Sequence, residues 1–201
     1  MENRFNEIQE NLAKETVINF FEEIHFIRPE LRAAIKLHSH LLHIKKKSIL
    51  LDFDEVQKSI YFIIKGAVRS YYLDSSGKDT TSWLLFEGDL AISVYSFFSQ
   101  KPSVETLETL EDSTILVLSY EKLILLYNTF LEFNFIGRVL VESYYIKSEE
   151  KANELRVFSA KDRYLHLIEK QPSILNRVPL GFISSYLGIT QSTLSRIRGK
   201  R

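Results

Sequence analysis

The amino-acid sequence predicts an α+β fold in which a β sandwich or barrel lies between helices at both ends of the chain. Up to about residue 40, apolar residues recur at the three- and four-residue spacing of helices. From there to residue 119, runs rich in Ile, Val, Tyr and Phe are broken by turns roughly every ten residues, as in sandwiches and barrels. Helical spacing returns at Tyr120 and continues to the end.

The composition excludes several classes of protein. The 201 residues include 26 Lys plus Arg and 26 Asp plus Glu, so any attraction to nucleic acid must come from charge concentrated locally. The absence of cysteine excludes disulfides, thiolate metal sites and cysteine nucleophiles. No apolar run is long enough to span a bilayer, and the charged N-terminus lacks a signal-peptide core. We therefore expect a cytoplasmic protein that does not contact membranes.

Two helices are expected before the β region. The first carries apolar residues at helical spacing, namely Phe5, Ile8, Leu12, Val17, Phe20, Phe21 and Ile24. The second is the short segment "RPELRAAIKL", in which Pro29 suits the first helical turn. In the β region, "SIYFIIKGAVRSYYLDSSGKDTTSWLLFEGD" contains strand-like runs broken by Gly66 and two polar turns, and "TILVLS" is expected to be the last strand.

A long helix is expected within "FIGRVLVESYYIKSEEKANELRVF". Its residues Ile136, Leu140 and Tyr144 lie four apart, and a helix longer than its neighbours often pairs with its own copy. This stripe predicts the seam of a homodimer, and the alternative is that it packs on the β domain of its own chain. A further helix is expected to begin at a Ser N-cap in "SAKDRYLHLIEKQP" and to end at Pro172.

The C-terminal segment has the spacing of a helix-turn-helix. Gly188 can adopt the positive φ of a sharp turn, and Thr190 is a natural N-cap for the helix that follows. Two short helices crossing through such a turn would bury one apolar set, namely Ile183, Leu187, Ile189, Leu194 and Ile197. An ordinary α-hairpin with the same apolar spacing is the alternative.

The charge of this segment favours the helix-turn-helix. From Leu175 onward there is no Asp or Glu, so the basic residues at the end are unopposed. The outward positions of the second helix are Gln191, Ser192, Ser195 and Arg196, whose side chains can hydrogen-bond to base edges. Basic residues where phosphates would run are Arg198, Lys200 and Arg201. The segment therefore predicts binding to double-stranded DNA.

The order of these parts, with "SIYFIIKGAVRSYYLDSSGKD", "EGDL" and "ISSYLGITQSTLSRIRGK", resembles the Crp/Fnr family of bacterial transcription regulators. The resemblance implies a cyclic-nucleotide-binding-like jelly roll at residues 1–125, a dimerisation helix at 126–158 and a helix-turn-helix domain at 159–201. It places Gln191, Ser192 and Arg196 at base-reading positions and Thr190 at a phosphate-contacting position. The expected function is transcription regulation by a homodimer, with a small-molecule effector and RNA polymerase as candidate partners.

The effector pocket departs from the nucleotide-binding members of this family. Where those members have a Gly-Glu pair and an Arg-Ser pair, this chain has Ile92 and Ser93, then Ser103 and Val104. Lys101 is the single cation near the expected pocket, and four acidic residues follow it before residue 113. An anionic phosphate would therefore meet net negative charge, and we expect no cyclic nucleotide to bind.

Other function classes find little support in the sequence. His38, His40 and His43 lie close together in "HSHLLH", but their spacing does not converge on one face of a strand or helix, so no metal or other cofactor is expected. A Gly-rich phosphate loop, a nucleophile elbow and paired carboxylates are absent, so the chain is not expected to be an enzyme. A ligand- or protein-binding module without DNA binding is the remaining alternative.

Overall fold

The computed structural model describes the backbone of residues 2–199 and the side chains of residues 7–199. Two helices lead in, α1 (Glu2–Glu22) and α2 (Pro29–His38), and Pro29 occupies the first turn of α2 as predicted. Eight strands then follow, with one short helix, α3 (Val94–Ser99), among them. They are β1 (Ser39–Ile44), β2 (Ile49–Leu51), β3 (Ser59–Lys65), β4 (Val68–Leu73), β5 (Asp79–Leu85), β6 (Leu90–Ala91), β7 (Glu105–Thr109) and β8 (Ser113–Ser119).

The strands form two four-stranded antiparallel sheets with the orders β1-β8-β3-β6 and β2-β7-β4-β5. Because side chains alternate between the faces of a strand, β3 and β8 contribute to two different cores. Ile63, Ile115 and Val117 lie in the core between the sheets. Phe62 and Leu116 point the other way and pack under the helices that cover the first sheet.

The chain is helical again from Tyr120. The helices are α4 (Tyr120–Thr129), α5 (Leu131–Val157), α6 (Ala160–Lys170), α7 (Ile174–Arg177), α8 (Leu180–Tyr186) and α9 (Gln191–Arg198). The Ser119 side chain caps α4, and the Ser159 side chain caps α6 as predicted by accepting a hydrogen bond from the backbone of Asp162. The predicted α+β fold is therefore confirmed, with α3 as an element that strand periodicity did not indicate.

The long helix α5 packs with the face that the sequence assigned to a dimer seam. Ile136 is fully buried in the core beneath α1, α2 and α4, and Leu140 packs against the same core. The Tyr144 ring lies 5.5 Å from that of Trp83 in β5. The seam predicted at Ile136, Leu140 and Tyr144 is therefore wrong, because these side chains pack against the β domain of their own chain.

Two features bear on other function classes. No helix in the described part of the chain is long and apolar enough to cross a membrane. His38 ends α2, whereas His40 and His43 lie in β1, and His43 Nδ1 lies 3.1 Å from the Thr114 hydroxyl. Over residues 7–199 no group of three or more His, Asp or Glu side chains is arranged to hold a metal ion.

Candidate nucleic-acid interface and effector pocket

Helices α8 and α9 cross through a tight turn. Gly188 adopts a φ of +65°, a conformation that residues with a Cβ rarely adopt. Thr190 caps α9, since its hydroxyl accepts a hydrogen bond of 3.1 Å from the backbone of Thr193. Ile183, Leu187 and Leu194 are buried between the helices. Each of these features agrees with the helix-turn-helix predicted from the sequence.

The opposite face of α9 is open to solvent. The exposed residues at this surface are Thr190, Gln191, Ser192, Ser195, Arg196 and Arg198. All six were predicted to contact DNA, and the structure brings them together on one side of the molecule. Lys200, the seventh predicted contact, lies outside the described residues, as does Arg201. This surface of α9 is therefore accessible to a partner.

Two of these side chains are held by neighbours. The Ser192 hydroxyl lies 2.9 Å from that of Thr190, so it forms a hydrogen bond at the start of the helix. The amide group of Gln191 lies over Gly181 in the first turn of α8, where a Cβ would come within 2.8 Å of Nε2. A glycine at position 181 thus leaves room for Gln191 between the two helices.

Helix α8 also packs directly on the β sandwich. The guanidinium of Arg69 in β4 is buried between the rings of Tyr71 and Phe182, with its central carbon 4.1 Å and 3.6 Å from the two ring centroids. Its nitrogens donate to Asp79 at 2.7 Å and Glu108 at 3.0 Å. A charged side chain from the sheet therefore supports the first helix of the helix-turn-helix.

A second basic residue forms an ion-pair network across the same interface. Arg177, at the end of α7, donates to both carboxylate oxygens of Glu87 at 2.8 Å and also pairs with Glu111. Partial burial opposes ionisation of Glu87, but hydrogen bonds from Arg177 and from the backbone of Gly66 outweigh it and lower its pKa to about 2. The same pairs raise the pKa of Arg177.

The long helix meets both units at Lys151. Its ammonium lies 3.9 Å from the centroid of the Tyr186 ring in α8 and 4.8 Å from that of Trp83 in β5. Burial lowers the pKa of Lys151 to about 7, partly offset by the charge of Glu154. These residues line a cleft of about 780 Å³ between α5, the sandwich and α6.

The C-terminal end of α5 is joined to the turn between α8 and α9. Arg163 in α6 donates to the carbonyl of Phe158, just after α5, at 2.7 Å and to that of Leu187 at 3.0 Å. The Leu155 side chain lies 3.4 Å from the position that a Cβ at Gly188 would occupy. A shift of this end of α5 would therefore act directly on the turn that orients α9.

Two of the residues predicted to form the effector pocket make hydrogen bonds within the protein. Ser93 and Ser103 are both buried, and their hydroxyls lie 3.2 Å apart. The Gln57 side chain accepts from the backbone of Ser93 at 2.6 Å and donates to the carbonyl of Ser59 at 2.7 Å. The backbone N–H of Ser93 and the hydroxyl of Ser103 are thus paired with groups of the chain itself.

A buried carboxylate lies nearby, on β7 of the second sheet. Glu105 accepts a hydrogen bond from Ser70, whose hydroxyl also accepts one from Ser82 at 2.8 Å. Burial and the charge of Glu105 raise the pKa of Tyr72 to about 12. An anionic ligand at this place would meet a buried negative charge.

The remaining predicted pocket residues lie elsewhere. Lys101 and Val104 are exposed on the loop before β7, so neither reaches the interior of the sandwich. Ile92 packs with the helical layer on the outer face of the first sheet. The structure therefore brings Ser93 and Ser103 together and separates them from the other three.

Arg69 is the residue at this interface that sequence reasoning missed. Within "GAVRSYYL" it stands in a strand that is otherwise mostly apolar and aromatic, which is an unusual place for an arginine and the one local signal that it is buried. Its contact with Phe182 joins residues more than a hundred positions apart, so no sequence spacing indicates it.

Comparison with known proteins agrees with this architecture. Residues 41–130 match the family model described as "Cyclic nucleotide-binding domain". No curated protein matches the chain by sequence. The matched segment covers all but the first two residues of β1, the other seven strands, and α4.

Solved structures show the same fold over most of the chain. FixK2 from Bradyrhizobium japonicum is 18% identical, with a TM-score of 0.69 over 81% of this chain and 83% of its own. CLP, a c-di-GMP responsive global regulator from Xanthomonas campestris, is 16% identical, with a TM-score of 0.67 over 86% and 91%. A putative transcriptional regulator of the Crp/Fnr family from Eubacterium rectale is 16% identical, with a TM-score of 0.68 over 85% and 82%. The resemblance predicted from the sequence is thereby confirmed at the level of the fold.

Proposed function

We propose that this chain, which contains a cyclic nucleotide-binding domain and has the fold of Crp/Fnr transcription regulators, is a cytoplasmic, sequence-specific DNA-binding regulator of transcription. The observation that carries the proposal is the face of α9. It is exposed and free of acidic residues, and it presents hydrogen-bonding side chains in its first turn and arginines in its last. A helix of this kind inserts its N-terminal part into the major groove, where base edges are distinguishable.

The proposed roles follow from position on the helix. Gln191, Ser192 and Arg196 contact base edges, and Ser195 lies on the same exposed face. Thr190 and Arg198 contact phosphates on either side of the groove, and Lys200 extends this contact beyond the described residues. Phosphate contacts fix the register of the protein on the duplex, whereas base contacts supply sequence preference.

We propose that the protein acts as a homodimer whose seam lies on a different face of α5 from the one the sequence indicated. Val141, Tyr145, Ser148, Ala152 and Leu155 follow one another at intervals of four and three residues. This is the repeat of a two-stranded helical seam, and Val141, Tyr145 and Leu155 are exposed large side chains. Ser148 and Ala152 are small, which allows two helices to approach closely.

The proposed seam ends beside the DNA-binding unit. Leu155 is its last member and contacts the turn at Gly188. Two copies related by a two-fold axis would present two α9 helices to successive major grooves, about 34 Å apart along the duplex. Movement along the seam then alters the spacing of the two recognition helices.

We further propose that the pocket inside the sandwich does not bind cyclic nucleotides. The hydrogen bonds among Ser93, Ser103 and Gln57 and the buried carboxylate of Glu105 support this, since a cyclic phosphate needs free donors and a cation. Regulation would then depend on a different ligand or partner.

Selection of binding sites from a random pool of duplexes tests the proposed function. We expect a palindrome whose half-site centres lie roughly one helical turn apart, and binding that weakens steeply as salt rises. A pool that yields no enriched sequence, together with salt-independent or absent binding to duplex, would overturn the proposal. It would favour a ligand- or protein-binding module instead.

A further inference from the structure

A cavity lies on the outer face of the first sheet, beneath the helices and away from the interior of the sandwich. Its volume is about 110 Å³. Its walls come from β3, β6 and β8 below, from α1, α4 and α5 above, and from α3 at one side. Ile92, which the family resemblance predicted to lie in the effector pocket, forms part of the floor.

The walls of the cavity are apolar. No charged side chain lines it among the residues that the structure describes, and its side-chain polar atoms are the hydroxyls of Tyr127 and Tyr144. The Tyr127 hydroxyl lies where α4 and α5 meet, beside Gly137, and Tyr127 lines the cavity. Among the described residues it has no hydrogen-bond partner, so it is available to a ligand.

Although the cavity opens to solvent at one side, it has room for more than one water molecule. Protein interiors rarely leave voids larger than one water molecule, for which about 10–15 Å³ suffices. Water gains little here, because an ordered water typically makes about three hydrogen bonds and the wall offers two hydroxyls. An engineered apolar cavity of about 150 Å³ stays dry and binds benzene, which is the relevant comparison for size.

Aromatic packing gives the cavity a fixed shape. Phe97 is fully buried and meets the rings of Phe98 and Tyr120 edge to face, with centroids 5.3 Å and 5.4 Å away. On the opposite side, Gly137 in α5 lets the Tyr127 ring approach the helix, since a Cβ there would overlap its hydroxyl. The cavity is thus bounded by side chains that have little freedom to collapse into it.

The mouth of the cavity adjoins the face of α5 that carries the proposed dimer seam. Phe98 and Val141 both line the cavity and are about half exposed, so the cavity opens to solvent between α3 and α5. Val141 is also the first exposed apolar member of the seam. A molecule in the cavity would therefore contact the same helix that joins two copies of the chain.

We propose that this cavity binds a small, uncharged, apolar molecule about the size of one benzene ring, and that this molecule is the effector of the protein. Charge is excluded because the walls offer no counter-ion. One polar substituent is tolerated, since it can pair with the Tyr127 hydroxyl. The binding site stands on the cavity alone, whereas its role as effector rests on the proposed function.

Binding is tested on the full chain without DNA, by saturation-transfer NMR and titration with toluene, p-cresol and benzoate. Toluene and p-cresol should bind, and benzoate, which differs from toluene by a carboxylate in place of the methyl group, should bind at least about tenfold more weakly. Equal binding of toluene and benzoate, or no binding of toluene and p-cresol, overturns the proposal.

Two variants locate the ligand. Ile92→Phe fills the cavity from the sheet, and Val94→Phe fills it from α3, so each should weaken toluene binding by about tenfold or more. Ile49→Phe is the matched control. It is the same substitution as Ile92→Phe, but at an exposed position of β2 that does not line the cavity, so it should leave toluene binding unchanged. If one filling variant fails to fold, the other decides. Unaltered binding in a folded filling variant places toluene elsewhere and overturns the site.

The role as effector is tested separately on the selected duplex. Saturating toluene should change the affinity of the wild-type protein for this duplex, and it should have no effect on a folded filling variant that still binds DNA. Toluene binding without any change in DNA affinity retains the site and overturns its regulatory role. If the protein binds no duplex in any condition, the proposed function is contradicted. The binding site is then judged by the toluene titration without DNA.

Discussion

The guanidinium carbon of Arg69 lies 3.6 Å from the centroid of the Phe182 ring, so a buried cation of the β sandwich stacks directly on α8, the first helix of the helix-turn-helix. The hydroxyl of Ser185 in the same helix accepts a hydrogen bond of 2.9 Å from the backbone of Thr81. Together these contacts fix the position of α8 on the sheet. The β sandwich and the C-terminal helices are therefore in direct contact, in addition to their connection through α5.

The first prediction concerns the stability of this interface. Arg69→Met should lower the free energy of unfolding by about 3 kcal/mol, because it leaves Asp79 and Glu108 without their buried partner. Phe182→Leu removes only the stacking and should cost about 1 kcal/mol. Chemical denaturation of the two single variants and the double variant measures their coupling, which we expect at about 1 kcal/mol.

Arg138→Met is the matched control, because Arg138 forms an exposed pair with Glu142 within α5. Its effect should stay within about 0.5 kcal/mol. Additive effects of the Arg69 and Phe182 variants would show that the two side chains do not support one another.

The sequence predicted the two helices α8 and α9 and the turn between them well because the signals are local. Gly188 and Thr190 each have one conformational role in a turn, and that role depends on their immediate neighbours. The strands of the sandwich were likewise predicted from local runs. By contrast, α3 is only six residues long and lies among strands, so its helical period is too short to detect.

The seam of α5 was misplaced for a physical reason. An apolar stripe shows that one face of a helix is buried, but not whether the helix packs on its own domain or on a second copy. Ile136 and Leu140 form the stronger stripe because they face a large core. The exposed stripe contains Ser148 and Ala152, which lower its apolar character, so it becomes visible only once the first face is known to be covered.

The second prediction concerns this seam. Tyr145→Glu should convert the dimer into a folded monomer, because it places a charge between the two helices. Ile146→Glu is the matched control, since Ile146 is equally exposed on the same helix but lies off the stripe, and this variant should remain a dimer. Sedimentation velocity distinguishes the two states. A dimeric Tyr145→Glu protein would show that the copies meet elsewhere.

Leu140→Glu gives a separate check on the same helix. Because Leu140 packs on the core of its own chain, a charge there should lower the free energy of unfolding by about 3 kcal/mol, whatever the oligomeric state. A folded, stable Leu140→Glu monomer would instead favour the seam that the sequence indicated.

The third prediction concerns pH. Burial lowers the pKa of Lys151 to about 7, far below its value in an unfolded chain. Between pH 7 and 9 the unfolded state therefore binds more protons than the folded state at this group, and the free energy of unfolding should rise with pH. A single proton contributes at most about 1.4 kcal/mol per pH unit. Below pH 7 the lysine is charged in both states, so this contribution no longer changes.

Lys151→Met should flatten this rise and increase the stability at pH 7, because the ammonium no longer has to be buried. Lys147→Met changes an exposed lysine one turn earlier on α5 and should leave the slope as it is. Denaturation midpoints at pH 7, 8 and 9 compare the three proteins. An unchanged slope in Lys151→Met would contradict the assignment of the rise to this lysine.

The fourth prediction concerns cyclic nucleotides. Titration calorimetry should detect no binding of cyclic AMP or cyclic GMP at micromolar concentrations, because Ser93 and Ser103 pair with groups of the chain and Glu105 is a buried anion. Micromolar affinity for either nucleotide would show that the hydrogen bonds in the pocket rearrange to admit a phosphate.

The fifth prediction separates base contacts from phosphate contacts on α9. Arg196 lies one turn after Ser192 on the exposed face, and its planar guanidinium can bond the O6 and N7 atoms of a guanine. Arg196→Ala should therefore cost about 1–3 kcal/mol per half-site on the selected duplex and much less on a scrambled one. Arg198→Ala, the matched control two residues later, should weaken binding to both duplexes alike and reduce the salt dependence.

Affinities of the wild-type protein and the two variants on both duplexes at several salt concentrations decide the assignment. If Arg196→Ala lowers both affinities equally, then Arg196 binds phosphate, and the base preference of the helix depends on Gln191 and Ser192.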